Sequence, residues 1–275
     1  MSLSIRWELG FIVWFFKYSL MINEALILAA GAGKRLVGIS QGAKFEVKIL
    51  GIPLAHYCLQ GLIRVGVDKI AVVVRKGWVE RFLETVEELV EDIDLYIIEN
   101  PEPWRDNGYS FLLGSTCIHG ERFFLTMVDH LLPVSLIKQL SREAEQNPRV
   151  HILVAGDKKP DFVDLREATK ILASKDGDVV CIGKQLREYS HVDVGIFIVA
   201  KDVTKVAKKL EEGREVFGWS DVVNEAIKMG FKAKIVDVTG ALWTEIDTLE
   251  DYESAHKGVR RAVVEELIKE WRRTG

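Results

Sequence analysis

Residues 25–36 read ALILAAGAGKRL, an uninterrupted apolar run that passes into small residues, two glycines one residue apart, and then two basic side chains. A run this short, ended by glycine, fits a strand buried on both faces better than a helix, and such strands belong to parallel sheets covered by helices on two sides. The rest of the chain keeps the same rhythm. Strands are predicted at 25–29, 70–74, 95–98, 123–127, 152–154, 195–199 and 234–238. Between them, 54–65, 79–90, 134–145, 203–210 and 221–229 repeat apolar residues every three or four positions, as helices laid on a sheet do.

The alternation predicts an α/β fold: a Rossmann-like, mostly parallel mixed sheet flanked by helices. Segments 168–174 and 179–183, joined by Lys175-Asp176-Gly177, break the rhythm and read as a β-hairpin inserted near an acceptor site. No internal repeat or linker rich in Pro, Gly or Ser divides the chain. The expected organisation is one domain over 23–256, an N-terminal extension over 1–22, and an amphipathic helix over 257–275 with Val259, Ala262, Val263, Leu267, Ile268 and Trp271 at helical spacing. Its ordinary role is to pack on the domain, with Glu265 and Lys269 as an i,i+4 pair.

The extension contains GFIVWFFKYSLMI over 10–22, an apolar stretch shorter than a bilayer span, interrupted by Lys17 and separated from the next apolar run by Asn23-Glu24. It reads as an added element or a tail before a start at Met21, not as a transmembrane segment or signal peptide. Of 275 residues, 37 are Lys or Arg and 41 Asp or Glu, a net charge of -4 that provides no field for nucleic acid. Cys58, Cys117 and Cys181 are scattered, which suits a reducing cytoplasm rather than a disulfide framework or a zinc site.

The chemistry starts at the glycine loop. Gly31 and Gly33, among Ala29, Ala30 and Ala32, let successive backbone N–H groups converge on an anion, and Lys34 and Arg35 supply countercharge. The third glycine of a dinucleotide fingerprint is missing, as is the Gly-Lys-Ser/Thr ending of a P-loop. Downstream, the apolar strand 123–128 delivers Asp129 at its carboxyl end, followed by His130, and Trp243-Thr-Glu-Ile-Asp247-Thr supplies a second acid. Two carboxylates meeting at one site suit Mg²⁺, which fills its octahedron with water and substrate phosphates. Taken alone, Asp247-Thr248 also reads as the N-cap of a helix carrying Asp251 and Tyr252. Likewise Asn107 and Ser110 suit either helix capping or base recognition.

LAAGAGKRL resembles the signature loop of GT-A-like (MobA-like) nucleotidyltransferases, L-A-A-G-x-G-x-R-[LM]. The resemblance continues in Lys44, seven residues before Gly51-Ile-Pro-Leu54 although Ala43 replaces the usual Pro, in the W-x-[DE]-[IV]-D-T pattern ending at Asp247-Thr248, and in Asp193-Val-Gly195-Ile-Phe197. It implies that Arg35 and Lys44 act on the triphosphate, that the loop with Lys48, Asn107 and Ser110 binds nucleotide, and that Asp129 and Asp247 bind Mg²⁺. It further implies that His130, Asp193 and Gly195 face the acceptor. Lys48 is a second candidate for the phosphate-contacting lysine. Asn107-Gly-Tyr-Ser110 is similar to a segment of cytidylyltransferases acting on phosphorylated alcohols, with the inositol-1-phosphate enzymes nearest. The substrates implied are CTP and a phosphorylated alcohol or sugar, and a tail of this kind precedes a membrane alcohol phosphotransferase, an implied partner. Hexose-1-phosphate enzymes using UTP, dTTP or GTP, phosphocholine cytidylyltransferases, molybdenum cofactor nucleotidyltransferases and an inactive nucleotide-binding module are the alternatives.

Overall fold

The computed structural model describes residues 22–36, 38–39 and 42–274; of the extension expected over 1–22, residues 1–21 lie outside them. Thirteen strands occur among these residues: β1 (Glu24–Leu28), β2 (Lys48–Ile49), β3 (Ile52–Pro53), β4 (Lys69–Arg75), β5 (Asp94–Asn100), β6 (Arg122–Met127), β7 (His130–Leu131), β8 (Ile152–Asp157), β9 (Lys170–Ala173), β10 (Val179–Gly183), β11 (His191–Ala200), β12 (Ala233–Asp237) and β13 (Thr244–Glu245). The helices are α1 (Leu54–Ile63), α2 (Val79–Val86), α3 (Asn107–Ser115), α4 (Val134–Gln146), α5 (Thr204–Gly213), α6 (Trp219–Lys228), α7 (Leu249–Lys257) and α8 (Arg261–Thr274).

Nine strands form one sheet with the path β10-β9-β11-β6-β1-β4-β5, and β8 and β12 continue from β11. β1 lies at its centre, parallel to β4 and β6, and every residue of it is buried. Ala25, Ile27 and Ala29 point into one hydrophobic layer, and Leu26, Leu28 and Ala30 into the other. That two-sided burial explains why the strand shows no polar alternation. Gly114 of α3 lets the helix lie directly on the sheet: a Cβ there would stand 2.3 Å from Leu26 Cδ1 and 2.6 Å from Val73 Cγ2. The expected hairpin is present as β9–β10, an antiparallel pair joined to β11.

A third apolar cluster lies off the main sheet, where Leu36, Tyr57, Leu131 and Ile246 meet Val263, Val264, Leu267 and Trp271 of α8. Each large apolar side chain buried there stabilises the fold by about 1.5–3 kcal/mol. The Glu270 carboxylate also accepts the N–H groups of Val134 and Ser135 (2.7 and 2.9 Å), placing a negative charge at the amino end of α4. The C-terminal helix thus packs on the domain, but it begins at Arg261; Lys257 ends α7, and Val259 is 67% exposed. Glu265 pairs with Arg261 (2.7 Å), and Lys269 reaches Glu266 (3.5 Å) in place of the expected Glu265.

Candidate active site

Asp129 leaves the carboxyl end of β6, where Val128 N–H still bonds to Leu28 C=O (3.2 Å) and extends the ladder of the central sheet. The next residues, His130–Leu131, pair antiparallel with Thr244–Glu245, and Ile246 N–H donates to Asp129 C=O (3.0 Å). Asp247 follows directly. Two acids far apart in sequence are therefore fixed beside each other by backbone hydrogen bonds. Lys44 stands between them, its Nζ 2.5 Å from Asp129 Oδ2 and also bonded to Asp247 Oδ1.

Lys44 starts a 3-10 turn over Lys44–Glu46 anchored by Phe45, which is fully buried edge-on against Trp78 and Phe82. The glycine loop makes room for this turn. At Gly33, which has φ +57°, a Cβ would approach Gly42 O to 2.9 Å and Lys44 Cγ to 3.4 Å. Arg35 reaches across from the same loop, with Nη2 2.6 Å from Asp247 Oδ2 and Nη1 3.4 Å from Glu167.

Burial alone would push the Lys44 pKa down, but the charges of Asp129 and Asp247 outweigh it and hold the ammonium above its ordinary value. Burial would raise Asp129, and Lys44 with His130 instead holds it below the usual carboxylate range. Cations and acids thus alternate in the site, Arg35 and Lys44 each against a carboxylate.

A further network fixes Asp247. The Asp251 carboxylate accepts the N–H groups of Asp247 (3.0 Å) and Thr248 (2.9 Å), and Thr248 Oγ1 caps α7 by accepting Asp251 N–H (3.1 Å). Arg260 then pairs with Asp251 and donates to Glu245 C=O (2.9 Å); both ion-pair side chains are only 10% exposed. Capping and site assembly are therefore one structure. The capping reading of Thr248 was available from the sequence, whereas Arg260 carried no local signal because its partners are fixed only by the turn after α7.

A cavity of about 290 Å³ opens at this cluster, lined by Ala29, Ala30 and Gly31 of the glycine loop, by Lys44, Asp129 and Asp247, and by Asp106, Asn107 and Ser110. A second cavity of about 500 Å³ shares Arg35 and Asp247 with it.

A profile of the MobA-like NTP transferase domain matches residues 25–212. The chain belongs to the MobA-like NTP transferase family. The bifunctional IPC transferase and DIPP synthase of Thermococcus kodakarensis is 33% identical over 243 residues, covering 88% of this chain and 52% of that protein. The corresponding protein of Archaeoglobus fulgidus is 31% identical over 245 residues, covering 88% and 45%. The chain thus spans about half the length of the curated relatives it matches. Among solved structures, the inositol-1-phosphate CTP transferase from T. maritima superposes with a TM-score of 0.80 at 28% identity, covering 92% of this chain and 97% of that one. An apo UDP-glucose pyrophosphorylase reaches 0.71 at 16% identity and shares the fold.

Within this MobA-like transferase the residues singled out from sequence separate into groups. Ala29, Ala30, Gly31, Arg35, Lys44, Asn107, Ser110, Asp129 and Asp247 line one cavity. Lys34 is exposed and, like Ala32 and Gly33, is not among the lining residues. Lys48 is not brought to the site; it is exposed on β2, beside a separate depression with Glu46, His56 and Arg81. The alternation along β2 turns it outward while Ile49 is buried.

Asn107 and Ser110 also carry structural duties. Asn107 Oδ1 accepts Trp219 N–H at the start of α6 (2.7 Å), and Ser110 Oγ accepts from Asn100 (3.0 Å). Asp106, missed in the sequence, lines the cavity with φ +72° and bonds Asn107 N–H (2.6 Å). A non-glycine residue in that region is strained, a condition found often at functional sites.

His130, Asp193 and Gly195 form a tight group behind Asp129 and line neither cavity. Gly195 has φ +77°, and a Cβ on it would stand 2.2 Å from the His130 ring. His130 Nδ1 lies 2.8 Å from Asp129, and Nε2 lies 3.4 Å from Glu245. Burial would lower the His130 pKa, but Asp129 foremost, with Glu245 and Asp193, raises it to about 9. Asp193 accepts Gly195 N–H (2.9 Å), and burial pushes its carboxyl up to about 7. Their arrangement makes them a support for Asp129.

Proposed function

We propose that this nucleotidyltransferase transfers the cytidylyl group of CTP to inositol-1-phosphate, forming CDP-inositol and pyrophosphate. The observation that carries the reading is the likeness to the T. maritima inositol-1-phosphate CTP transferase, which spans 92% of this chain and 97% of that one at 28% identity. The likeness to UDP-glucose pyrophosphorylases, at 16%, supports the fold alone.

In the reaction a phosphate oxygen of inositol-1-phosphate attacks the α-phosphorus of CTP, and the bond to the bridging oxygen of the β-phosphate breaks in line, releasing pyrophosphate. No covalent intermediate on the protein is needed. Arg35 and Lys44 would hold the triphosphate and offset the charge that grows on the leaving pyrophosphate, with the N–H groups around Gly31 adding a neutral anion cradle. Asn107 and Ser110, which line the same cavity, would contact the nucleoside. Binding both substrates in fixed orientation supplies much of the rate gain.

The donor set fits Mg²⁺. Lys44 Nζ already marks a point on which Asp129 and Asp247 converge, and among the described residues no group of three or more His, Cys, Asp or Glu forms a closed metal cage. Two carboxylates with room for substrate oxygens and water suit a magnesium ion carried with a nucleotide. When bound, it would neutralise phosphate charge at the reacting centre. A membrane alcohol phosphotransferase that consumes a CDP-alcohol is the partner this reading implies. No helix among the described residues is long and apolar enough to cross a membrane, and the free Cys58, Cys117 and Cys181 suit the reducing cytoplasm where CTP is found.

The test supplies each NTP with Mg²⁺ and a panel of phosphorylated alcohols and sugars, and measures pyrophosphate. CTP with inositol-1-phosphate should give the highest kcat/KM. A hexose-1-phosphate turned over faster with UTP or dTTP would replace the substrates, and nucleotide binding without pyrophosphate from any pair would remove the activity.

A further inference from the structure

We infer that Arg81 of α2, acting with Trp78 just before that helix, is a positioning residue that seats Lys44 between Asp129 and Asp247. Its role goes beyond the cytidylyl-transfer reading and rests on one part of it, the action of Lys44 on the triphosphate.

The acids and the lysine reach the site by different means. Asp129 and Asp247 flank the β7–β13 ladder, which fixes their backbones against each other. Lys44 opens a turn that closes on itself: among the described residues, Glu46 N–H donates to Ala43 C=O (3.3 Å) and Val47 N–H to Lys44 C=O (3.0 Å). Such 3-10 bonds have poor geometry, so the place of this turn depends on its side-chain contacts.

The contacts come from α2. Glu46, the last residue of the turn, receives a two-point ion pair from Arg81, with Nε 2.7 Å from Oε1 and Nη2 2.5 Å from Oε2. A planar fork on a carboxylate sets direction as well as distance. Arg81 Cζ also lies 5.4 Å from the centre of the Trp78 ring, within cation–π range. Trp78 in turn touches the chain on both sides of Lys44: its ring meets Phe45 edge-on at 5.8 Å, and a Cβ on Gly42 would stand 3.8 Å from it. The helix itself is a firm base, because Phe82 and Val86 are fully buried and Thr85 C=O lies 2.5 Å from His56 Nε2 of α1.

Arg81, Glu46 and Trp78 do not line the cavity that contains Lys44, Asp129 and Asp247; Arg81 and Glu46 border the separate depression beside Lys48. Their influence on transfer therefore passes through Lys44. The paired side chains are 31% and 29% exposed, and pairs of that kind contribute little to stability. Small displacements of a reacting group, by contrast, cost rate steeply.

The deciding experiment reads Lys44 directly, by labelling the full chain with acetic anhydride and following each lysine by mass spectrometry. In the parent the Lys44 side chain is 13% exposed and held by two carboxylates, so it should label slowly. Arg81→Ala should speed its labelling by roughly fivefold or more, with the other lysines and thermal melting unchanged. A Lys44 rate within about twofold of the parent overturns the inference, and so does an equal rise at every lysine, which would mean general loosening. Turnover supplies the second reading. Arg81→Ala should lower kcat by roughly tenfold, Arg81→Lys should recover only part of it, and in a Lys44→Ala background the same change should cost less than about twofold. Equal losses in both backgrounds overturn the inference. If the parent releases no pyrophosphate, the activity reading falls by itself, and the labelling of Lys44 still decides whether Arg81 seats it.

Discussion

The two sides of the site are built in different ways. On the nucleotide side β5, β4, β1 and β6 form parallel ladders with uninterrupted register, and the β7–β13 pair transmits that order to Asp129 and Asp247. On the other side β11 shifts register against β8 between Asp193 and Phe197, and the 158–168 loop is held by side chains such as Thr244 and Arg35. Asp129 and Asp247 are thus placed by backbone hydrogen bonds. The 158–168 loop lies outside the ladders and can be rewritten without disturbing the sheet.

Removing a member of the backbone-placed cluster is the strongest way to break that contrast. Asp129→Ala and Asp247→Ala should each lower kcat by roughly 10²–10³-fold, with far-UV circular dichroism preserved. Turnover near that of the parent would take the residue out of the chemistry. Arg260→Ala should come next. It leaves the Asp251 carboxylate buried without its cation, and should cost about 3–5 kcal/mol in denaturant unfolding as well as turnover. Arg260→Lys should recover stability more fully than turnover, since a single ammonium cannot serve both Asp251 and Glu245 C=O as a guanidinium does. Equal recovery of both would reduce Arg260 to a structural role.

The support group on the other side predicts an effect that depends on pH. Because burial raises the Asp193 carboxyl from an ordinary 3.8 to about 7, the folded state holds a proton there that the unfolded chain has released. The contribution of this group to stability is therefore full below pH 3.8 and declines as pH rises toward 7. Asp193→Asn should flatten that part of the stability profile in metal-free protein, and an unchanged slope would show that Asp193 does not carry it. The smallest effect belongs to Lys48→Ala, whose kcat/KM should stay within about twofold of the parent because the side chain faces away from the site.

Much of this arrangement was legible in the sequence because burial is written into residue type. β1, β4 and β6 are apolar on both faces and were recognisable as strands, and the helices between them carried their apolar period. The two-residue strands β2, β3, β7 and β13 were not, since two residues cannot show a period. Spacing before Gly51-Ile-Pro-Leu54 favoured Lys44 and left Lys48 a second candidate; in the structure Lys44, beside the buried Phe45, reaches Asp129. Asp251 was readable as part of a cap, but its coupling to Arg260 depended on where α8 docks.

The β7–β13 ladder also determines where this protein can be divided. The family match ends at residue 212, yet Asp247 and the strand that positions it lie beyond that point, as do the side chains of α8 that complete the third apolar cluster. A fragment cut there would keep the glycine loop and Lys44 but lose half of the carboxylate pair. Any fusion or split-protein design that respects the chemistry must therefore carry α8 with the central strands.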